Sequence, residues 1–482
     1  MYVHSWSALA KGERLNVSMG PHIMLRNLCF GIALFVAFDA DAGDPKKKTS
    51  TPTEPEGLKA LQHPDAKVRY RAAQTLADLG PTAKFALPEL FATLKDKNVQ
   101  VRVKAAEAIW KIEAPPVSSL MPTLLAALKD ADANGRAAAP PVIALFGTKA
   151  KPAVPAMIEL LNDKQINVRM SAIGALGELG PTAKSAAGPL LDLSADKEFF
   201  LLEPFVGAAL ANLGSDPILL LAEALAHKLP ERRRVAAYAL GAMGPGAIWA
   251  TQDLVKAMSH ADPATRRGAA FALGKIGPPA RAALPTITSK LGDPDVYMRI
   301  DAALASWRIS GNADYSSHID GVLAGSKSTD VRDAACQALG SMKAAGKLAV
   351  FSVTELLADK ELRVRAITTL GAIGPGANSA VMELRKGFKD KDAEVQLWTA
   401  YAVWQITGDT KETLPIIEEA LASETLDRQA AHLLGEMGAA AQPALRSLIA
   451  IYREDDDARF RQAVGAAIKK IDPRIGMKLG IR

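Results

Sequence analysis

The sequence predicts an all-α protein, a right-handed α-α superhelix (α-solenoid) of about thirteen helical hairpins. Three observations predict it. A phrase recurs: Val68 to Lys84 reads VRYRAAQTLADLGPTAK, and Val168 to Lys184, 100 residues on, reads VRMSAIGALGELGPTAK. Aligning the chain on the Val-Arg step then gives thirteen anchors, spaced 30 to 34 residues apart. They are Arg69, Arg102, Arg136, Arg169, Glu203, Arg233, Arg266, Arg299, Arg332, Arg363, Gln396, Asp427 and Arg461. Finally, apolar residues recur at helical spacing, and no strict alternation marks a strand. A fixed period of this size means stacked units, each too small to bury its own apolar face.

The chain begins with an address. Leu28 to Phe38, LCFGIALFVAF, is an apolar run preceded by Arg26 and followed by the exit Ala40-Asp41-Ala42. That order is the pattern of a secretory signal peptide, with Met24 a sensible start, so residues 1–42 read as a signal region. Eleven apolar residues are too few to span a bilayer, so no stable membrane span remains after cleavage. Cys29 precedes most of the run, which disfavours a lipid anchor. Residues 43–57, GDPKKKTSTPTEPEG, hold Pro, Thr and Lys and predict a flexible spacer. The solenoid is placed at 58–474 and a tail at 475–482.

Within a copy, Val68, Ala72, Leu76 and Leu79 make the apolar stripe of a first helix. Gly80 supplies a left-handed end and Pro81 blocks continuation. A second helix runs through Ala86 to Lys95, with Pro88 near its start, where a missing N–H costs little. Pro122, Pro155, Pro189, Pro285 and Pro415 hold comparable places. Asp96, Asp130, Asp163 and Asp293 close their units.

The anchor arginine lies at the stripe's edge. Asp65 stands four residues before Arg69, as do Asp132 before Arg136, Asp262 before Arg266 and Asp295 before Arg299. An acid N-terminal to a base at this spacing contributes about 0.2–0.5 kcal/mol when exposed. A partly buried arginine can also donate to helix-end carbonyls. A residue present at most rungs is architecture before function, so Arg69, Arg102, Arg136, Arg169, Arg233, Arg266, Arg299, Arg332 and Arg363 are read as a structural ladder.

The copies differ informatively. Eight residues after the anchor most carry Gly or Ala (Ala77, Gly177, Gly241, Gly274, Gly340, Gly371, Gly435), which lets a neighbouring helix approach. Trp110, Trp307 and Trp404 take that place in three copies, which also lose the Leu-Gly-Pro ending and read WKIEAP, WRISGN and WQITGD. This predicts a packing variant at an altered turn. Trp398 and Tyr401 fall off the stripe, as Arg71 and Gln74 do in the first copy, and are candidate partner contacts. The fifth copy, KEFFLLEPFVG, carries Glu203 and Pro204 and the shortest spacing, which predicts a bend or shifted packing there.

The phrase D-x-x-V-R-x-x-A-A-x-x-L-x-x-[LI]-G-P-x-A resembles the HEAT-repeat family. More closely, it is similar to the short bacterial HEAT-like repeats also found in phycobilisome lyases. The T-P-L-H turn of ankyrin and the W-x-x-L-G-x-x-Y of tetratricopeptide repeats are absent. The resemblance implies the armadillo/HEAT-like solenoid and its arginine ladder, and leaves the function open.

Composition narrows that function. The net charge is +6 on 482 residues, a mild excess that announces no nucleic-acid groove. Arg232-Arg233-Arg234 and Arg266-Arg267 form a basic zone that the next rung's Asp301 interrupts. No H-E-x-x-H, His-Glu pair, G-x-S-x-G, P-loop or dinucleotide fingerprint occurs. Cys336 reads as a small packing residue. No cofactor or metal is expected. The reading is an exported, non-catalytic scaffold that binds another protein along the concave face, its oligomeric state open. A lyase-like enzyme or cofactor chaperone is the alternative, and a nucleic-acid binder, disfavoured by charge, the next.

Overall fold

The computed structural model describes residues 54–481. The signal region, with Met24, Cys29 and Ala42, lies outside the described residues, as does the spacer up to residue 53. Among the described residues there is no strand. A helix already spans Glu54–Leu61, so the sequence stretch read as spacer ends in helix. At the other end the helix Pro473–Lys478 runs into the expected tail.

Two compact units part between Pro217 and Ile218, inside the fifth copy. In the first unit the first helices of copies one to five are Ala66–Leu79, Val99–Glu113, Ala133–Ala144, Ile166–Leu179 and Phe199–Asn212. Second helices Leu87–Thr93, Met121–Ala127, Val154–Glu159 and Ala187–Asp192 stand between them in sequence. The second unit opens with Ile218–Ala224. Its first helices, copies six to thirteen, are Pro230–Met243, Pro263–Ile276, Val296–Ser310, Thr329–Met342, Arg363–Ile373, Ala393–Thr407, Asp427–Met437 and Ala458–Ile471. Inside each unit most first helices pack on the next first helix and on their own second helix, the arrangement of an α-solenoid. The stripe residues Leu76, Ile109, Ile143 and Leu176 are buried in that stacking.

Gly80 shows how a copy turns. It sits at φ 56°, ψ −136°, a region essentially confined to glycine, and Pro81 after it bars any return to the helix. A short 3-10 stretch, Gly80–Ala86, then leads into the second helix. The same geometry recurs at Gly180, Gly244 and Gly374, each followed by proline. In copy nine Lys343 occupies it instead, at φ 51°, ψ −131°.

The three tryptophan copies end differently. Their first helices run 15 residues and stop at a left-handed residue, Ala114, Gly311 or Gly408. The N–H of that residue donates to the tryptophan's own carbonyl, at 2.9, 2.7 and 2.7 Å respectively. The altered turn and the indole are thus one local device.

Small residues and indoles also set how far apart the copies stand. A Cβ built on Gly177, Gly274 or Gly435 would lie 2.9, 2.9 and 3.1 Å from the Cα of Ala209, Ala305 and Ala467 in the next copy. Those helices touch backbone to backbone. After a tryptophan copy the next first helix touches its predecessor less, and the helices of copies eleven and twelve barely meet.

Candidate partner-binding surface

The anchor arginines form a ladder, but with different partners from those the spacing suggests. Arg69 donates through Nε and Nη2 to both oxygens of Asp96, at 2.6 and 2.8 Å. Its Nη1 reaches the carbonyls of His63 and Pro64 at 2.7 and 2.8 Å. One guanidinium therefore ties the loop before its helix to the loop that closes the copy. The bond to Asp96 raises the arginine's affinity for its proton against the penalty of burial. Burial pushes the Asp96 carboxyl up, but Arg69 and the Asn98 N–H outweigh it and hold it below the usual range.

The pattern repeats in Arg102 with Asp130, Arg136 with Asp163, Arg266 with Asp293, and Arg363 with Asp390. Arg169 takes Asp196 at 3.6 Å and also Glu198. Arg332 reaches Asp359 only at 3.9 Å but donates to the Ser326 carbonyl at 2.7 Å. Arg299 donates to the Asp293 carbonyl at 2.9 Å and forms no ion pair among the described residues. Gln396 does the same at Asp390, at 2.6 Å.

Asp65, Asp132, Asp262 and Asp295 hold a different place from the one their spacing suggests. None of them pairs with the arginine four residues on. Each caps its helix, accepting from the N–H of Lys67, Asn134, Ala264 and Tyr297. An N-cap carboxylate folds onto the first turn, while the arginine stem leans past it towards the helix N-terminus and into the loop. Asp262 does both jobs, for the preceding copy: it accepts from Arg233 at 3.0 Å and from Thr265 at 2.7 Å. Burial raises its carboxyl, but these bonds win and hold it at about 2.

Three histidines belong to the same loops. Nδ1 of His63, His227 and His260 accepts the N–H two residues on, at 3.0, 3.2 and 3.0 Å. Asp96 and Asp163 do this in other copies, so histidine here substitutes for a turn-capping carboxylate. No group of three metal-ligating side chains occurs among the described residues. Cys336 is buried, and burial pushes its thiol up to about 12, the behaviour of a packing residue.

The candidate partner contacts sit as follows. Arg71 is exposed, and Gln74 is half-buried and donates to Asp78 at 2.9 Å. Trp398 and Tyr401 do not point clear of the core as expected. Both are half-buried, Trp398 against two apolar clusters and Tyr401 against one. Their rings meet edge-on at 6.3 Å, and Tyr401 lies 5.4 Å from Trp404. The reason is the gap between copies eleven and twelve: rings occupy space that a neighbouring backbone fills elsewhere. Burial, with Glu436 adding to it, pushes the Tyr401 hydroxyl up to about 12.

Beside these rings a groove of about 740 Å³ crosses the C-terminal ends of four successive first helices. Lys343, Gly371, Pro375, Tyr401, Trp404 and Glu436 line it. Trp404 marks this place in the sequence, because its indole stands where glycine elsewhere closes the stack.

Sequence reasoning missed the other face. Trp249, Phe351 and Met382 are 80%, 75% and 82% exposed where the chain enters second helices. Phe351 and Met382 hold the same register in successive copies, a signal the first-helix alignment did not use. In the fifth copy Phe199 and Leu202 are buried and Phe200 is exposed.

Comparison with known proteins bears on the repeat itself. The profile for HEAT repeats matches residues 55–120, 121–202 and 251–340, a little under half of the chain. No curated protein matches the chain. Among solved structures, Kap95p in a study of its binding to RanGDP is similar at 13% identity and TM-score 0.49, over 87% of this chain and 67% of that one. Kap121p bound to RanGTP is similar at 14% identity and TM-score 0.47, over 87% of this chain and 57% of that one. Yeast importin-beta (Kap95p) is similar at 12% and TM-score 0.46, over 89% and 73%.

Proposed function

We propose that the chain, a protein of HEAT repeats, is an exported scaffold that catalyses nothing and binds another protein along its row of first helices. The observation that carries this reading is the groove at the ends of the first helices of copies nine to twelve. It is lined by Tyr401 and Trp404 and flanked by Lys343 and Glu436. Rigid aromatic side chains with polar edges at the rim are the usual anchors of a protein contact. The ladder arginines are spent on structure, so the groove's character comes from residues that differ between copies.

Export rests on residues 1–42, and mass determination of the mature N-terminus tests it: cleavage is expected after Ala42. Binding is tested by a photo-crosslinking residue at Lys343, in the groove, against one at Lys386, on the second-helix side. Capture of the same protein from 343 and none from 386 is expected. Equal capture from both, or capture from 386 alone, would contradict the assignment of the surface.

A further inference from the structure

Positions nine residues after the anchor meet across successive first helices. In copies twelve and thirteen they are Glu436 and Lys470, and they bridge at 2.5 Å. The Lys470 stem lies over Gly435, whose built Cβ would sit 3.4 Å from its Cδ. In copies seven and eight the same positions are Lys275 and Arg308. The register is the same, since a Cβ built on Gly274 would sit 3.6 Å from Arg308 Cδ. Here, however, the two positions carry like charges.

Among the described residues Arg308 forms no ion pair and donates no hydrogen bond, although it is only part-exposed. Lys275 has no carboxylate either; its Nζ stands 5.6 Å over the Phe271 ring. Burial, then the repulsion of Arg308, holds the Lys275 ammonium below its usual range. Burial likewise lowers the Arg308 guanidinium, and Asp301 offsets part of it. Asp301 is itself shared with Arg267, at 3.5 Å. Towards the N-terminal ends of the same two helices the Arg267 guanidinium lies over the Tyr297 ring at 5.0 Å.

We propose that Lys275 and Arg308 form a carboxylate-binding site that takes a Glu or Asp side chain from an acidic segment of a partner protein. The incoming carboxylate stands towards Arg308 as Glu436 stands towards Lys470, and Lys275 closes on it from the preceding copy. A planar fork and a mobile ammonium on either side of one carboxylate make two charge-assisted contacts. This deepens the protein-binding reading and rests on it, but places the acidic contact apart from the aromatic groove.

The test uses the full chain and fluorescein-labelled poly-L-glutamate, followed by anisotropy at low and moderate salt. Binding is expected to weaken about tenfold in either Lys275→Gln or Arg308→Gln, and to be unchanged in Lys111→Gln. Lys111 has the same register but is already paired with Glu107. Equal binding by all variants would overturn the site, and so would tighter retention of a single-stranded oligonucleotide than of poly-glutamate. A second measurement needs no ligand. Lys275→Glu should melt above Lys275→Gln, because the new carboxylate pairs with Arg308; an equal or lower midpoint would show that the two side chains do not converge. If poly-glutamate fails to bind while position 343 still captures its protein, this inference falls and the scaffold reading stands. The reverse result does the opposite.

Discussion

Replacing Arg136 with Met is the sharpest test of the ladder. Arg136 makes four bonds: to the two oxygens of Asp163 at 2.7 and 3.1 Å, and to the carbonyls of Asp130 and Ala131 at 2.8 and 3.0 Å. The two side chains are 18% and 9% exposed. Methionine keeps much of the packed stem and removes every donor. It leaves Asp163 buried with one remaining bond, from the Gln165 N–H at 2.9 Å. Breaking a buried pair from one side costs about 3–5 kcal/mol, because the other charge stays desolvated. With the residual exposure and that surviving bond, about 2–4 kcal/mol is expected.

The partner substitution is cheaper. Asparagine at 163 still accepts from Gln165 and can accept one guanidinium donor, so Asp163→Asn should cost about 1–2 kcal/mol. Urea denaturation by circular dichroism gives the totals, and the double variant gives the coupling. Hydrogen exchange at 130–136 and 163–169 shows whether the loss is local to the two loops, as expected where each copy contacts only its neighbours. Lys184 and Asp216 pair at 2.7 Å but are 62% and 57% exposed, so Lys184→Met should leave the midpoint unchanged. The reasoning fails if Arg136→Met is as mild as Lys184→Met, or if exchange rises everywhere except in the two loops.

Three further outcomes follow from the same geometry. Lys343→Gly should stabilise by about 1 kcal/mol in urea, since relief of a side chain at positive φ exceeds the entropy that glycine adds; a loss would mean that the lysine is not strained. Gly274→Ala should cost about 1–3 kcal/mol by driving a methyl into Ala305 2.9 Å away, whereas Gly174→Ala, with nothing within 4 Å, should gain about 0.5–1 kcal/mol; the two melting midpoints must move in opposite directions. Asp262 is held at about 2, below its ordinary 3.8, so its contribution is complete above that value and is lost as pH falls towards 2. It should amount to about 2 kcal/mol, and the difference in urea midpoint between pH 5 and 2.5 should shrink in Asp262→Asn.

The fold was legible because one register error in thirteen copies is hard to make. Val68, Ala72 and Leu76 declare a helix, Gly80-Pro81 declares its end, and the period declares the stacking. The partners of the ladder were less legible. Asp65 and Arg69 fit the helical i,i+4 rule, yet the carboxylate that matters, Asp96, lies 27 residues on and meets the guanidinium only after the second helix has folded back. Local spacing cannot see a closure of that length. The Trp398 and Tyr401 rings were misplaced for a related reason. A helical wheel assigns directions from one helix alone, and it cannot show that the first helices of copies eleven and twelve barely meet and leave the rings a gap to fill.

In such an array the repeated positions say how the copies hold together, and a departure has meaning because the rule around it is known. Eight residues past the anchor, glycine lets two backbones touch and tryptophan keeps them apart, and the groove lies where Trp404 follows Gly371 in the next copy. One residue further, opposite charges in copies twelve and thirteen bond to each other, while in copies seven and eight two cations meet and neither forms an ion pair among the described residues. Neither departure helps the stack. An indole that opens a gap forfeits backbone contact, and two cations held together oppose folding. Costs of that kind persist where something outside the chain repays them, which directs the search for a partner to copies seven to twelve before any other part of the surface.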